Sequence, residues 1–180
     1  MLSKAFASAL LLLPSFVTGA YLVRADQQAP LQTSLTMVET GPFRIHPSSF
    51  PDKCFDVRGG IFGNGSPVQI YECNGSPSQA WVFDYEIDRI RLAGMDWCLD
   101  AGNPPFVNGA KVKIWGCTSR IDAQSWRWYS FGKTGLVGIN LADTNLCLDL
   151  TEGKVDNGTL IQLWTCDHLN GKNQALFTAL

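Results

Sequence analysis

The chain has 180 residues, 46% of them hydrophobic and 17% charged, the make-up of a globular protein with one domain and at most a tail. Its 14 Lys and Arg residues gather in no run, and the formal net charge is −2. That excludes the basic footprint of a nucleic-acid binder and of a protein held on an anionic membrane surface.

The first twenty residues, MLSKAFASALLLLPSFVTGA, set one lysine before an apolar stretch from Ala5 to Val17, broken only by Ser8, Pro14 and Ser15, and end on small residues. They read as a secretory signal peptide, cleaved after Ala20 or after Ala25, because so short a stretch cannot cross a bilayer core roughly 30 Å thick as a helix. No other segment is apolar enough to span a membrane, so the mature chain is expected to be secreted, extracellular and without membrane insertion. Residues 21–41 are expected to form a flexible arm and 42–180 the folded body, long enough to bury about two-thirds of its surface.

All six cysteines fall in that body, and Cys54 and Cys73, Cys98 and Cys117, and Cys147 and Cys166 are each 19 residues apart. Aligned on the first cysteine of each pair, the three segments agree position by position. Asp56, Asp100 and Asp149 come two residues after it; Asn64-Gly65, Asn108-Gly109 and Asn157-Gly158 begin ten after it; Tyr71, Trp115 and Trp164 come seventeen after it. A period of 44 and then 49 residues describes three copies of one unit. In an exported protein the pairing that respects the repeat is Cys54 with Cys73, Cys98 with Cys117 and Cys147 with Cys166, each closing a loop worth about 3 kcal/mol on the chain-entropy view. A metal site is not expected: no CxxC pair exists, and His46 and His168 are out of register and read as surface or loop residues.

Within each unit the Asn-Gly pair supplies the positive φ of a hairpin turn between two strand-like stretches. Period-two alternation assigns Phe55, Val57, Val68 and Ile70, then Leu99, Ala101, Val112 and Ile114, then Leu148, Leu150, Ile161 and Leu163 to the core. It sends Asp56, Gln69 and Tyr71, Asp100, Lys113 and Trp115, and Asp149, Gln162 and Trp164 to the opposite, outward face. An outward aromatic beside a carboxylate and an amide suits a sugar: the apolar face of a pyranose stacks on the ring while its hydroxyls bond the polar groups. The same pattern also fits an aromatic that merely packs on its disulfide or a neighbouring loop. Between units, QAWVF (79–83), QSWRW (124–128) and QALF (174–177) read as further core strands, with Trp81 and Trp126 structural.

Three tandem repeats, this cysteine spacing, the Asp two residues on and a Gln-x-Trp in the first two repeats, degraded to Gln174-Ala175-Leu176 in the third, resemble the ricin-type (ricin B-like) lectin domain, over about residues 43–180. The resemblance implies an all-β fold, a β-trefoil of three tandem repeats with pseudo-threefold symmetry, in which a six-stranded barrel is capped by three hairpins. It further implies glycan contacts by the Asp, by the Gln and aromatic of the hairpin's second strand, and by an Asn just before the later Gln-x-Trp. The third repeat keeps every member as Asp149, Gln162, Trp164 and Asn173. The first keeps Asp56, Gln69 and Tyr71 but has Ser78 for the Asn. The middle keeps Asp100 and Trp115 but has Lys113 for the Gln and Ala123 for the Asn. The expected order of sites is therefore third, first, middle, with galactose-type glycans as the family's usual ligands and no cofactor.

Three acceptor patterns for N-glycosylation occur, at Asn64, Asn74 and Asn157, and a glycan on Asn157 is expected to crowd the third-repeat site. Catalysis is not expected. Glycoside hydrolysis wants two carboxylates flanking one bond, whereas these fall one per repeat. The alternative function is a trefoil interaction protein, a protease inhibitor or toxin subunit, with vestigial sugar sites.

Overall fold

The computed structural model describes residues 39–180 apart from Lys133 and Asn170; the expected signal peptide and most of the expected arm lie outside the described residues. Twelve strands run through them: β1 (Glu39–Pro47), β2 (Lys53–Val57), β3 (Val68–Glu72), β4 (Trp81–Asp84), β5 (Arg89–Leu92), β6 (Trp97–Asp100), β7 (Lys113–Gly116), β8 (Trp126–Ser130), β9 (Val137–Leu141), β10 (Leu146–Leu150), β11 (Ile161–Thr165) and β12 (Leu176–Ala179). Pairing is antiparallel throughout.

The barrel strands run β5-β4-β1-β12-β9-β8, joined by hydrogen-bonded ladders. The circle closes where the Trp126 N–H donates to the Asp88 carbonyl just before β5. Three hairpins, β2-β3, β6-β7 and β10-β11, cap it, so the fold is the expected β-trefoil. Each is clasped by its own bridge, Cys54–Cys73, Cys98–Cys117 and Cys147–Cys166.

The alternation names the core correctly, and the twelve hairpin positions assigned to it are all buried. Val68, Val112 and Ile161 meet around the pseudo-threefold axis, where Val68 N donates to Val112 O and Val112 N to Ile161 O, both at 3.1 Å. Trp81 and Trp126 open β4 and β8 fully buried, and their indole N–H groups donate to the carbonyls of Phe55 and Leu99. Buried indoles satisfied in this way stitch a barrel strand to the hairpin before it. Leu176 takes the same place at the start of β12, also fully buried.

The hairpin turns differ from the expectation. In the first repeat ten residues separate Val57 from Val68, beginning with a short 3-10 turn; the Asn-Gly pair does form a turn, closed by Ser66 N on Gly63 O, but within this longer loop. It docks on the next repeat. Asn64 Oδ1 accepts from Gly116 N at 2.8 Å, Asn108 Oδ1 from Thr165 N at 2.7 Å, and Asn157 Oδ1 from Glu72 N at 3.1 Å. Gly65, Gly109 and Gly158 then donate to the carbonyls of Ile114, Leu163 and Ile70. The glycine is required, with φ of 88°, 86° and 95° at the three positions. Each repeat therefore braces the hairpin of the next, and the third braces the first.

His46 is not a surface residue. It lies in β1, 5% exposed, stacked on Phe177, and its Nδ1 pairs with the Lys53 carbonyl at 2.9 Å. Burial lowers its pKa below 6.5, keeping the ring neutral at pH 7. Its Nδ1 also approaches both sulfurs of the first bridge, at 3.8 and 3.6 Å, but bonded sulfurs offer no thiolate to a metal.

Candidate functional site

The outward aspartates face away from the barrel core, as alternation requires, yet each is only 5% exposed. The reason is a residue type whose role the sequence did not disclose. The Gln of each Gln-x-Trp, and Gln174 of the degraded Gln-x-Leu, sits just before its barrel strand and folds over the carboxylate. Gln79 Nε2 donates to Asp56 Oδ2 at 3.1 Å and to the Glu72 carbonyl, while its Oε1 accepts from Asn74 N. Gln124 repeats this with Asp100 Oδ2, Gly116 O and Thr118 N. Gln174 repeats it again with Asp149 Oδ2 at 3.1 Å, Thr165 O at 3.0 Å and Asp167 N at 2.8 Å. All three glutamines are buried. One amide thus ties the carboxylate, the end of the hairpin's second strand and the segment beyond the disulfide.

In the third repeat the other oxygen, Asp149 Oδ1, accepts from Gln162 Nε2 at 2.9 Å. An ionised carboxylate offers about four acceptor positions; two are taken by these amides, and Asp149 lines a cleft of about 730 Å³. Trp164, 45% exposed, forms part of its wall, and Asn173 lines it as well, so the four residues named for this site lie around one opening. Asn173 reaches its place because residue 153 is glycine: a Cβ there would stand 2.7 Å from Asn173 Oδ1, on a backbone with φ of 69°.

The cleft also holds residues the sequence did not single out. Lys111, from the middle repeat, donates through Nζ to Gln162 Oε1 and to Thr151 Oγ1, both at 2.7 Å. It fixes the Gln162 amide with its NH2 toward Asp149. Gly109, from the same repeat, joins the lining. No signal within the third repeat could reveal them, because they arrive through the Asn108 turn. Pro67 and Leu160 hold the equivalent positions for the middle and first sites, so the lysine is specific to the third. Burial pushes the Asp149 carboxyl above 3.8, while the two amide bonds and the charge of Lys111 pull it back.

In the first repeat Gln69 Nε2 donates to Asp56 Oδ1 at 2.9 Å, and Tyr71 stands outward, 39% exposed. Burial again raises the carboxyl, against the bonds from Gln69 and Gln79. Ser78, in the place of Asn173, is 5% exposed and too short to reach outward from there. In the middle repeat Trp115 is 40% exposed, but the Lys113 ammonium stands 5.4 Å over its ring and 4.0 Å from Asp100 Oδ1. The charge that replaces the amide stands beside both the aromatic ring and the carboxylate of this hairpin.

Asn157 is not beside the third site. It packs on Lys53 and Glu72, next to Tyr71 of the first repeat, so a glycan on it would crowd that face instead.

A three-lobed barrel whose hairpins carry an outward aromatic beside a tethered carboxylate defines a β-trefoil of the sugar-binding kind. Residues 41–176 match the ricin-type beta-trefoil lectin domain, and the chain belongs to that family. Among curated relatives, Nigrin b of Sambucus nigra is 35% identical over 74 residues, which span 41% of this chain and only 12% of that protein. Among solved structures, the designed three-fold symmetric protein ThreeFoil matches with a TM-score of 0.69 at 20% identity, over 77% of this chain and 97% of that one. The Macrolepiota procera ricin B-like lectin, solved with lactose, matches with a TM-score of 0.62 at 19% identity, over 76% and 92%.

Proposed function

We propose that this protein is a secreted, non-catalytic lectin whose principal site is the third-repeat cleft and whose ligands are galactose-type glycans. The observation that carries this reading is the meeting of Asp149, Trp164 and Asn173 at one opening, with the carboxylate held by two amide donors. In this reading Asp149 accepts hydrogen bonds from two adjacent hydroxyls, Trp164 stacks on the apolar face of the ring, and Asn173 holds a further hydroxyl. Gln162 orients the carboxylate, and Lys111 orients Gln162. The lactose held by the Macrolepiota procera protein supports the choice of sugar. The first repeat, with Asp56, Gln69 and Tyr71, is the second candidate; the middle repeat, with Asp100 and Trp115, is the weakest because Lys113 and Ala123 replace its Gln and Asn.

A site this open matches a millimolar affinity for one sugar, near −4 kcal/mol, with avidity from a branched or repetitive glycan. The test is a glycan array with the wild type and Trp164→Ala side by side. Trp164 is exposed and its side chain makes no hydrogen bond among the described residues, whereas Asp149→Ala would also break two tethers. Binding to terminal galactosides that disappears in Trp164→Ala is the expected result. Undiminished binding moves the site to Asp56 and Tyr71, and no binding by either protein favours the interaction-protein reading.

A further inference from the structure

The acceptor sequence Asn157-Gly158-Thr159 and the turn that braces the first repeat are the same residues. Here the roles are divided between the two atoms of the amide. Oδ1 of Asn157 accepts from Lys53 Nζ at 3.0 Å and from Glu72 N at 3.1 Å. Nδ2, the atom a glycan would join, meets no partner among the described residues, and the side chain is exposed. A substituted amide keeps its carbonyl oxygen, so both structural bonds survive.

The pseudo-threefold counterparts behave differently. Asn108 borders the third site, and there Nδ2 is engaged, donating to Thr165 Oγ1 at 3.0 Å; its sequence, Asn108-Gly109-Ala110, is no acceptor. Asn64 borders the middle site, where a Cβ on Gly65 would stand 3.8 Å from the Trp115 ring, and Pro67 follows its acceptor serine. A Cβ on Gly158 would meet nothing within 4 Å, so the space beside the Asn157 turn is open, and Glu72, whose N–H bonds Asn157, is the residue after Tyr71.

We infer that Asn157 is an N-glycan attachment site whose glycan stands over the first-repeat face at Tyr71, leaving the third-repeat cleft open. The modification joins Asn157 Nδ2 to the anomeric carbon of an oligosaccharide carried on a polyprenyl diphosphate. The anomeric C–O bond of that donor breaks, the diphosphate leaves with the electron pair, and the amide gives up one proton. The inference rests on the export expected from the first twenty residues, and it concerns masking of a face, whether or not that face binds sugar.

The full chain, secreted from a glycosylating eukaryotic host, is treated with an endoglycosidase and mapped by mass spectrometry; a residual N-acetylglucosamine on Asn157 is expected. Hydroxyl-radical footprinting then compares the intact glycoform, the trimmed form and Thr159→Ala, which removes the acceptor pattern while the Asn157 bonds remain. Oxidation of Tyr71 is expected to be severalfold lower in the intact glycoform than in the other two, with Trp164 oxidised equally in all three. An unmodified Asn157, or Tyr71 oxidised equally in all three forms, overturns the inference. Failure of the protein to bind any galactoside would refute the proposed function and leave both of these readouts standing.

Discussion

Replacing Gln174 by alanine removes three hydrogen bonds at once, to Asp149 Oδ2, Thr165 O and Asp167 N. A neutral bond contributes about 0.5–1.5 kcal/mol and one to a charged group about 1.5–3. The three together sum to roughly 2.5–6 kcal/mol on those figures. Thr165 and Asp167 are exposed enough for water to replace part of what they lose, so a cost of about 2–4 kcal/mol is expected. For a domain of this size that lowers Tm by roughly 5–15 °C. Gln124→Ala removes the same three bonds in the middle repeat and should cost a similar amount. The two variants part at the ligand. Gln174→Ala frees the Asp149 carboxylate and should weaken galactoside binding at least tenfold, whereas Gln124→Ala should leave it within twofold at a temperature where both are folded. Calorimetric melting with the disulfides intact, followed by lactose titration, reads both quantities. A Tm change under about 2 °C in either variant would show that the glutamines are not structural tethers. Equal binding losses in the two would remove the third repeat from its place as principal site.

Two further outcomes follow from the same geometry. Lys111→Met should weaken binding severalfold with little change in Tm, because it releases the Gln162 amide to rotate while the exposed methylene stem remains; Lys111→Arg should recover part of the loss, and lactose titration of the three proteins checks this. Acid should weaken binding at a higher pH than an ordinary carboxylate would require, since Asp149 is raised above 3.8 and only its ionised form offers every acceptor to hydroxyls. For stability the sign is opposite: a carboxyl raised by folding favours the folded state below its unfolded pKa, and that contribution is lost as pH rises through the folded value. Titrations and melting curves from pH 7 downward should therefore show affinity falling while this carboxyl's own contribution grows.

The repeat unit and its core face are legible because repetition and alternation are properties of one strand at a time, whereas the trefoil arrangement comes from the resemblance to the ricin-type lectin domain. Three cysteine pairs in register chose the bridges, and period-two patterns separated Ile70 from Tyr71 and Leu163 from Trp164. Alternation also sets Asp149, Gln162 and Trp164 on one outward face of the third hairpin, whereas Asn173 is named only by the resemblance to the ricin-type lectin domain. Contacts between repeats were hidden. Gln174 reads as the start of a core strand, and nothing local to it shows that its amide folds back over Asp149, which is why the aspartates looked open when they are nearly covered. Lys111 and Asn157 were misjudged or missed because each serves the neighbour of the repeat it belongs to.

The handing of each Asn-Gly turn to the following hairpin has a consequence for how small such a protein can be. A single repeat cut from the chain would expose Ile114 N, Gly116 N and their counterparts with nothing to receive them, so no one-third fragment is a finished object. The circuit has no privileged starting point, however, and β1 pairs with β12, which sets Arg44 opposite Ala179. A gene rearranged to begin at the middle or the last lobe, with a short splice across that seam, would encode every one of the same bonds in a different order.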